Sequence, residues 1–468
     1  MALRIKELFS ARDMTQGTPW KRIAEFAFPM LLGNFAQQLY NTADSVIVGE
    51  YVGDNALAAV GSAMPILNLL LAIFVGVSTG AGIVISQHYG AKDREGLSLA
   101  VGNCLTLAAI ASVLIMIVGP LITRPFLEML GTPDSIINWC AGYLNIMFLG
   151  IVGFFFYNML SGVLRGLGDS LSALIFLLIS AALNVALDLL FVAKFGMGVP
   201  GVAIATVIAQ VISAIFCYWK LTRMQNVFDL AGKYLKLVPS MAMRIISIGF
   251  PSGITQGIMA TAGMVVQTLT NSMGEMFIAC NVIVMRVDGF AMLPNLTFGQ
   301  AMSVYTGQNV GANKLDRVHQ GTKQGSIMAL AVSTVITAIL LVFGKYLFAI
   351  FTDTTALIDL AVKMMRVLAA GYICVSVTQV LGGVMRGAGD TMTPMWISLI
   401  STILLRVPTA YLMAYLTKSP DYPNGHPVSI FTSLLVSWSL GMVITLVVFK
   451  IGKWKQKMYA SAEQYRNT

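Results

Sequence analysis

The chain has 468 residues, of which 57% are hydrophobic and only 11% charged, with a net charge of +9 and a mean hydropathy of +0.77. A soluble domain carries about 25% charged residues, so water is excluded as the main solvent, and a basic charge of this kind is read by its placement and not as a nucleic-acid footprint. Apolar runs near the ~20 residues needed to cross a bilayer recur along the chain, which favours helices over the ~10-residue alternating strands of a barrel.

Hydrophobic runs between charged or Gly/Pro-rich breaks predict twelve helices. They fall at 23–48, 56–84, 95–118, 136–160, 171–193, 200–221, 240–270, 277–305, 320–345, 357–382, 392–416 and 428–450. The segment before the first is charged and mildly amphipathic, unlike a cleaved signal, and reads as retained. With both termini cytoplasmic, the inner side collects Arg4, Lys6, Arg12, Lys21 and Arg22, then Lys220, Arg223, Lys233, Lys236 and Arg244, and finally Lys450, Lys453, Lys455 and Lys457. The outer loops hold Arg124, Lys194, Lys345 and Lys418, so this orientation satisfies the positive-inside rule. A multi-pass membrane protein with both ends facing the cytoplasm is expected.

In the first helix Gln37, Tyr40, Asn41 and Asp44 form one polar stripe at i, i+3, i+4 and i+7. The fourth ends on Tyr157, Asn158 and Ser161, the fifth places Asn184 and Asp188 one turn apart, and the sixth carries Thr206, Gln210 and Ser213. An ionisable group at membrane depth costs at least ~2.5 kcal/mol on insertion scales, so Asp44 and Asp188, with no basic residue in their own spans, are functional candidates. Isolated Thr, Gln and Ser more often bind helices together. Two carboxyl groups in one confined site resist ionising together, which suits a proton or cation exchanger.

A repeat organises the chain. Gly162-Val-Leu-Arg-Gly-Leu-Gly-Asp-Ser170 matches Gly383-Val-Met-Arg-Gly-Ala-Gly-Asp-Thr391 at six of nine positions, 221 residues apart. Within one residue, the same offset relates Phe28-Pro29 to Phe250-Pro251, Gly90-Ala91 to Gly311-Ala312, and Gly150 to Gly371. The expected domains are an N-terminal six-helix bundle (1–222), a cytoplasmic linker (223–239) and a C-terminal six-helix bundle (240–468), related by an axis along the membrane normal. In each copy the glycines permit a tight reversal, the Asp can cap the next helix, and Arg165 or Arg386 complements a helix C-terminus.

The second half departs where the chemistry lies. Asn184 aligns with Arg406 and Asp188 with Ala410, while Arg286 and Asp288 sit two residues apart in the eighth helix and so do not share a face. Arg406 with Asp288 is the expected cross-helix pair, open to a structural or a substrate-facing role. Pro29, Pro65, Pro251 and Pro294 interrupt helices, as hinges or as static kinks. Most of the 28 methionines read as membrane filler. Cys104, Cys140, Cys217, Cys280 and Cys374 are scattered singly, and His88, His319 and His426 fall in separate predicted loops. No GxxxxGK[ST] loop or HExxH spacing occurs, so neither an ATP-driven pump nor a membrane enzyme is expected.

The segments FPMLLGNFAQQLYNTADSVIVG (28–49), ISQHYGAKD (85–93), GVLRGLGDS (162–170), NVALD (184–188) and GVAIAT (201–206) resemble multidrug and toxic compound extrusion (MATE) transporters, over nearly the whole chain. That resemblance implies an all-α polytopic fold of two pseudo-symmetric six-helix bundles around a V-shaped cavity that alternates its access. It also implies a cation-coupling set of Asp44, Asn158, Asn184, Asp188 and Thr206, with Asp44 as the protonation residue. The seventh helix around Met259 and the tenth (367–384) lack the carboxylates of the NorM-like branch, so the chain resembles the DinF-like bacterial branch.

The expected function is efflux of amphipathic, often cationic, organic compounds by antiport, with a lipid-linked precursor flippase as the alternative. The coupling ion is H+, or Na+ held at Asp44, Asn184, Asp188 and Thr206, with no organic cofactor. Gln37, Tyr40, Asn41, Tyr157, Gln210, Met259, Arg286, Asp288 and Arg406 are the candidate substrate-cavity residues. Small organic substrates and membrane lipids are the expected partners of a functional monomer, with no nucleic acid.

Overall fold

The computed structural model describes residues 12–129 and 131–466, apart from the side chains of 43, 45, 46, 48, 49, 54–58, 62, 64–66, 69 and 70. Arg4, Lys6 and the side chain of Pro65 lie outside the described residues. The described chain is helical almost throughout, with one isolated bridge between Ser419 and Tyr422. In order the elements are α1 (Pro19–Tyr51), α2 (Asp54–Ala91), α3 (Arg94–Met129), α4 (Asp134–Leu149), α5 (Ile151–Gly166), α6 (Ser170–Asp188) and α7 (Gly198–Thr222). They continue with α8 (Pro239–Asn271), α9 (Glu275–Gly311), α10 (Leu315–Ala349), α11 (Thr355–Gly387), α12 (Met392–Ser398), α13 (Val407–Leu416), α14 (Val428–Ile451) and α15 (Lys453–Arg466).

The predicted fourth helix is two, α4 and α5, which meet at Gly150 with a bend of 53°. The predicted fifth runs through α6 into a π-helix, Leu189–Lys194, and the predicted eleventh is α12, a π-helix at Leu399–Arg406, and α13. Together these place helix at each of the twelve predicted positions. Among the described residues nine helices are singly long and apolar enough to cross a membrane, and the bent pair makes ten. The two others, α1 and α8, are partners in the repeat, and both carry charged and amide side chains along their length. Val113, Leu114, Ile117, Leu121, Val342 and Tyr346 are more than half exposed, as side chains facing lipid are. The chain is a multi-pass membrane protein.

His88 lies near the end of α2 and His319 in the first turns of α10, so neither is in a loop as expected. After α14, Gly452 turns through a left-handed conformation into the polar helix α15, whose Trp454, Met458, Ala462 and Tyr465 are buried.

By contact the described residues form two compact units, one of residues 12–13 and 28–253, the other of residues 14–27 and 254–466. In the first unit the buried core joins α2 through α7 around Phe74, Phe148, Phe155 and Leu160, with Phe74 and Phe155 stacked at 3.7 Å. The connection after α7 is tied down, since Arg94 donates to Asp229 (2.8 Å) and to the Gln225 carbonyl (2.6 Å). That hydrogen bond holds the Asp229 carboxyl below the usual range. In the second unit, α9, α11, α13 and α14 enclose Phe277, Met365, Tyr372 and Phe431. There residues 14–17 dock on polar groups. Met14 N donates to Gln308 Oε1 (2.9 Å), Lys314 Nζ to the Thr15 carbonyl (2.9 Å) and Arg317 to the Gly17 carbonyl (2.9 Å).

The repeated glycine motif has the expected local roles and one more. Gly168 and Gly389 hold φ of +85° and +90°, the left-handed conformation that the reversal needs. Asp169 accepts from Ser172 N (2.9 Å) and Oγ (2.7 Å), and Asp390 from Thr393 N (3.3 Å) and Oγ1 (2.6 Å), so each satisfies an N–H in the first turn of the following helix. Lys220 approaches Asp169 at 3.5 Å and Lys457 approaches Asp390 at 2.8 Å. Arg165 and Arg386 sit in the last turns of α5 and α11. The additional role is close helix contact. A Cβ on Gly162 would meet the Ser78 carbonyl at 2.8 Å and one on Gly166 the Gly82 carbonyl at 2.6 Å. The same atom on Gly383 or Gly387 would collide with the carbonyl of Gly299 or Ser303. Small residues let the two backbones approach where lipid supplies no hydrophobic driving force.

Candidate functional site

The polar stripes of the first half converge in part. Asp44 on α1 and Asp188 at the end of α6 are both buried, Asp188 completely, and their carboxyl groups are close enough to share a hydrogen bond. Asp188 marks the transition from α6 into the π-helix, and such turns often accompany functional groups because they displace side chains from regular helical spacing. With its amide oriented to satisfy both of its atoms, Asn184 donates to Asp188 Oδ2 (2.8 Å) and accepts from Thr206 Oγ1 (3.3 Å). Tyr40, one turn before Asp44, lies within interaction range of Thr206, Asp44 and Asp188. Asp44, Asp188, Asn184, Thr206 and Tyr40 thus form one cluster carried by three helices.

Tyr143 belongs to this cluster and was not foreseen. It is buried in α4 and lies within electrostatic range of Asp44, Tyr40 and Asp188. The sequence signal was one phenol in an apolar span, which hydropathy reads as core. Asp44 Oδ1 and Asp188 Oδ1 are buried and meet no N–H or O–H donor among the described residues. A hydrogen bond between two carboxyl groups needs a proton on one of them. Were both ionised, the two carboxylates would repel, by ~4 kcal/mol for unit charges ~4 Å apart at an effective dielectric constant of 20.

Other expected residues stand apart. Asn158 gives its amide N–H to the Phe154 carbonyl one turn back (2.8 Å) in α5, which supplies no tie to Asp44. Tyr157 lines a small cleft of about 40 Å³ with Pro29, Asn34, Ser161 and Arg165, near the reversal that follows α5. Gln37 and Asn41 pair with each other on α1 at 3.4 Å. Gln210 Oε1 is buried without a partner among the described residues. Ser213 donates to the Phe176 carbonyl (3.1 Å) and acts as packing glue between α6 and α7.

In the second unit Asp288 and Arg406 influence each other electrostatically but form no ion pair within 4 Å, so the expected direct pair is not made. The direct partner of Asp288 is a different group, however. Tyr372 on α11 donates its hydroxyl to Asp288 Oδ1 at 2.8 Å. Arg286 is exposed on α9 and Met259 is exposed on α8. Arg406 ends the π-helix of Leu399–Arg406 and lines a cavity of about 460 Å³ with Gln267, Asn271, Asn281 and Met285. Among the described residues, no three His, Cys, Asp or Glu side chains gather as a metal-binding group.

A duplicated membrane-spanning scaffold with paired buried carboxyls in one half defines a class of polytopic transport proteins. Profile comparison gives the family: MatE matches residues 29–190 and again 251–412, once in each half, and the chain belongs to that family. It is 28% identical to the probable multidrug resistance protein YoeA of Bacillus subtilis (strain 168), over 89% of this chain and 92% of that one. With the probable multidrug resistance protein YpnP of the same organism it shares 29% identity, over 95% and 98%. The fold matches a crystal structure of MATE in complex with MaL6, with a TM-score of 0.87 at 22% identity, covering 96% of this chain and 99% of the other. It likewise matches an outward-facing multidrug resistance MATE family transporter of the MOP superfamily, with a TM-score of 0.87 at 22% identity, covering 97% and 99%.

Proposed function

We propose that this chain is a secondary active exporter of amphipathic, often cationic, organic compounds, and not an enzyme. In this reading an external cation enters the Asp44–Asp188 pair, and its binding alternates with that of the exported molecule as access switches between the two sides of a bacterial cytoplasmic membrane. The observation that carries the reading is the proximity of two buried carboxyls, each with one oxygen that meets no donor among the described residues. The names of its relatives, multidrug resistance and multidrug export proteins, support the cargo class.

The coupling ion is H+ in the first instance. A proton suffices to satisfy the pair, whereas Na+ would draw on the oxygens of Asp44, Asp188, Asn184 and Thr206. Exchange of one proton for one monovalent cation moves no net charge, so only the pH gradient drives it. Use of both carboxyls would add ~2.3 kcal/mol per charge at 100 mV. Both termini face the cytoplasm in this scheme, and the monomer is the working unit.

The test is ethidium efflux from vesicles holding the purified chain, with pH and sodium gradients imposed separately. The pH gradient alone should drive export, and Asp44→Asn should reduce it at least ~10-fold, equivalent to ~1.4 kcal/mol. Normal export by correctly inserted Asp44→Asn would refute the scheme.

A further inference from the structure

The second unit contains a cavity that the coupling scheme leaves unused. It lies among the last turns of α8, the first turns of α9 and α14, and the end of the π-helix before α13, and it encloses about 460 Å³. Met264, Met285, Phe431 and Leu434 provide apolar wall, while Gln267, Asn271 and Asn281 provide amides. The amides are linked, Asn281 to Gln267 at 3.4 Å and Gln267 to Asn271 at 2.8 Å. Arg406 brings the single charged side chain among the described lining residues, and no carboxylate is among them.

Arg406 is short of acceptors. Its Nε is buried with no partner, and no described residue makes a hydrogen bond or an ion pair within 4 Å with its guanidinium. Asp288 offsets its charge from a distance, and Asp288 Oδ1 already accepts from Tyr372. A guanidinium has five N–H donors in a planar fork that matches a carboxylate or phosphate, and charge compensation at long range leaves those donors unmet. The volume suits a drug-sized molecule in an apolar pocket with a few convergent polar groups. In the first half the aligned position holds Asn184, a neutral amide that serves the carboxyl pair, so a cation stands in the second half where the first has an uncharged group.

We propose that this cavity binds the anionic group, carboxylate or phosphate, of an amphipathic molecule through Arg406, with the linked amides receiving its polar atoms and the methionine and phenylalanine side chains its apolar body. The site is separate from the carboxyl cluster of the first unit and does not require that cluster to couple transport to an ion. It gives the chain a means of holding acidic or zwitterionic compounds in addition to cations.

The test uses the full chain in phosphatidylcholine nanodiscs, with dansylglycine and its uncharged amide as probes, read by fluorescence anisotropy. The wild type should bind dansylglycine at least ~10-fold more tightly than the amide. Arg406→Gln should abolish that preference, Arg406→Lys should keep part of it by retaining charge without the fork, and the surface control Lys345→Gln should keep all of it. Repeating the titration with phosphatidylglycerol replacing part of the lipid separates two sources of the anion. Unchanged affinity assigns the site to a free amphipath, and competition that depends on Arg406 assigns it to a lipid headgroup. Equal binding of the two probes by the wild type, or a charge preference that survives in folded Arg406→Gln, would overturn the proposal.

Discussion

The two halves of this protein share a scaffold and differ in what the scaffold holds. In the first, Asp44 and Asp188 face each other with Asn184, Thr206 and Tyr40 around them. In the second, the position aligned with Asn184 holds Arg406, Asp188 is replaced by Ala410, and the nearby carboxyl of Asp288 is engaged by Tyr372. The motifs that build the frame were retained in both copies, down to the glycines that bring α5 onto α2 and α11 onto α9. Duplication kept the packing and released the polar positions to diverge.

The largest expected effect would break the comparison if it failed. Asp188→Asn should reduce proton-driven ethidium export at least ~10-fold. Asp288→Asn should instead lower thermal stability, since it weakens the balance of charge around Arg406, and the folded fraction should still export under a pH gradient. Loss of coupling in both variants to the same degree would mean that the second half participates equally in ion exchange.

A second prediction concerns what the halves share. Gly166→Val and Gly387→Val each force a side chain against a neighbouring backbone, and overpacking of this kind costs ~1–3 kcal/mol or more. Both should reduce the folded yield measured by size-exclusion chromatography, by comparable amounts. A tolerated substitution in one half alone would show that the helix contact is not equivalent.

The smallest effect separates cap from counter-charge. Asp169→Ala removes an N-cap and Asp390→Ala removes the carboxylate that accepts from Thr393 N in the first turn of α12, each at ~1 kcal/mol. Lys457→Ala should cost less than Asp390→Ala, because the Lys457 side chain is 51% exposed whereas Asp390 is 2% exposed. Thermal unfolding in detergent orders the three variants.

Helical periodicity and the internal repeat made much of this legible in sequence. Twelve helical positions followed from apolar length, and the Asp44 stripe followed from 3.6-residue spacing. The break at Gly150 and the π-helices at Leu189–Lys194 and Leu399–Arg406 were not legible, because they depend on how neighbouring helices pack. Helix α15 was hidden by its polarity, since its buried Trp454 and Met458 lie among lysines that read as a cytoplasmic tail.

The site was legible where charge at membrane depth is costly, as for Asp44 and Asp188. It was illegible where an aromatic hydroxyl takes part. Tyr372 looks like a core residue until the fold brings its hydroxyl to Asp288, and Tyr143 until the fold brings it within electrostatic range of Asp44 and Asp188. Asn158 shows the converse, since a polar residue on the expected helix satisfied its amide N–H within that helix.

The central claim is that a proton bound at the Asp44–Asp188 pair exchanges with the exported molecule. It is tested most directly by following pH in weakly buffered, detergent-solubilised protein while ethidium is added. The account predicts proton release from the wild type on ethidium binding, and loss of that release in Asp44→Asn and in Asp188→Asn, with Asp288→Asn still releasing protons per mole of folded protein. Undiminished release from folded Asp44→Asn would contradict it.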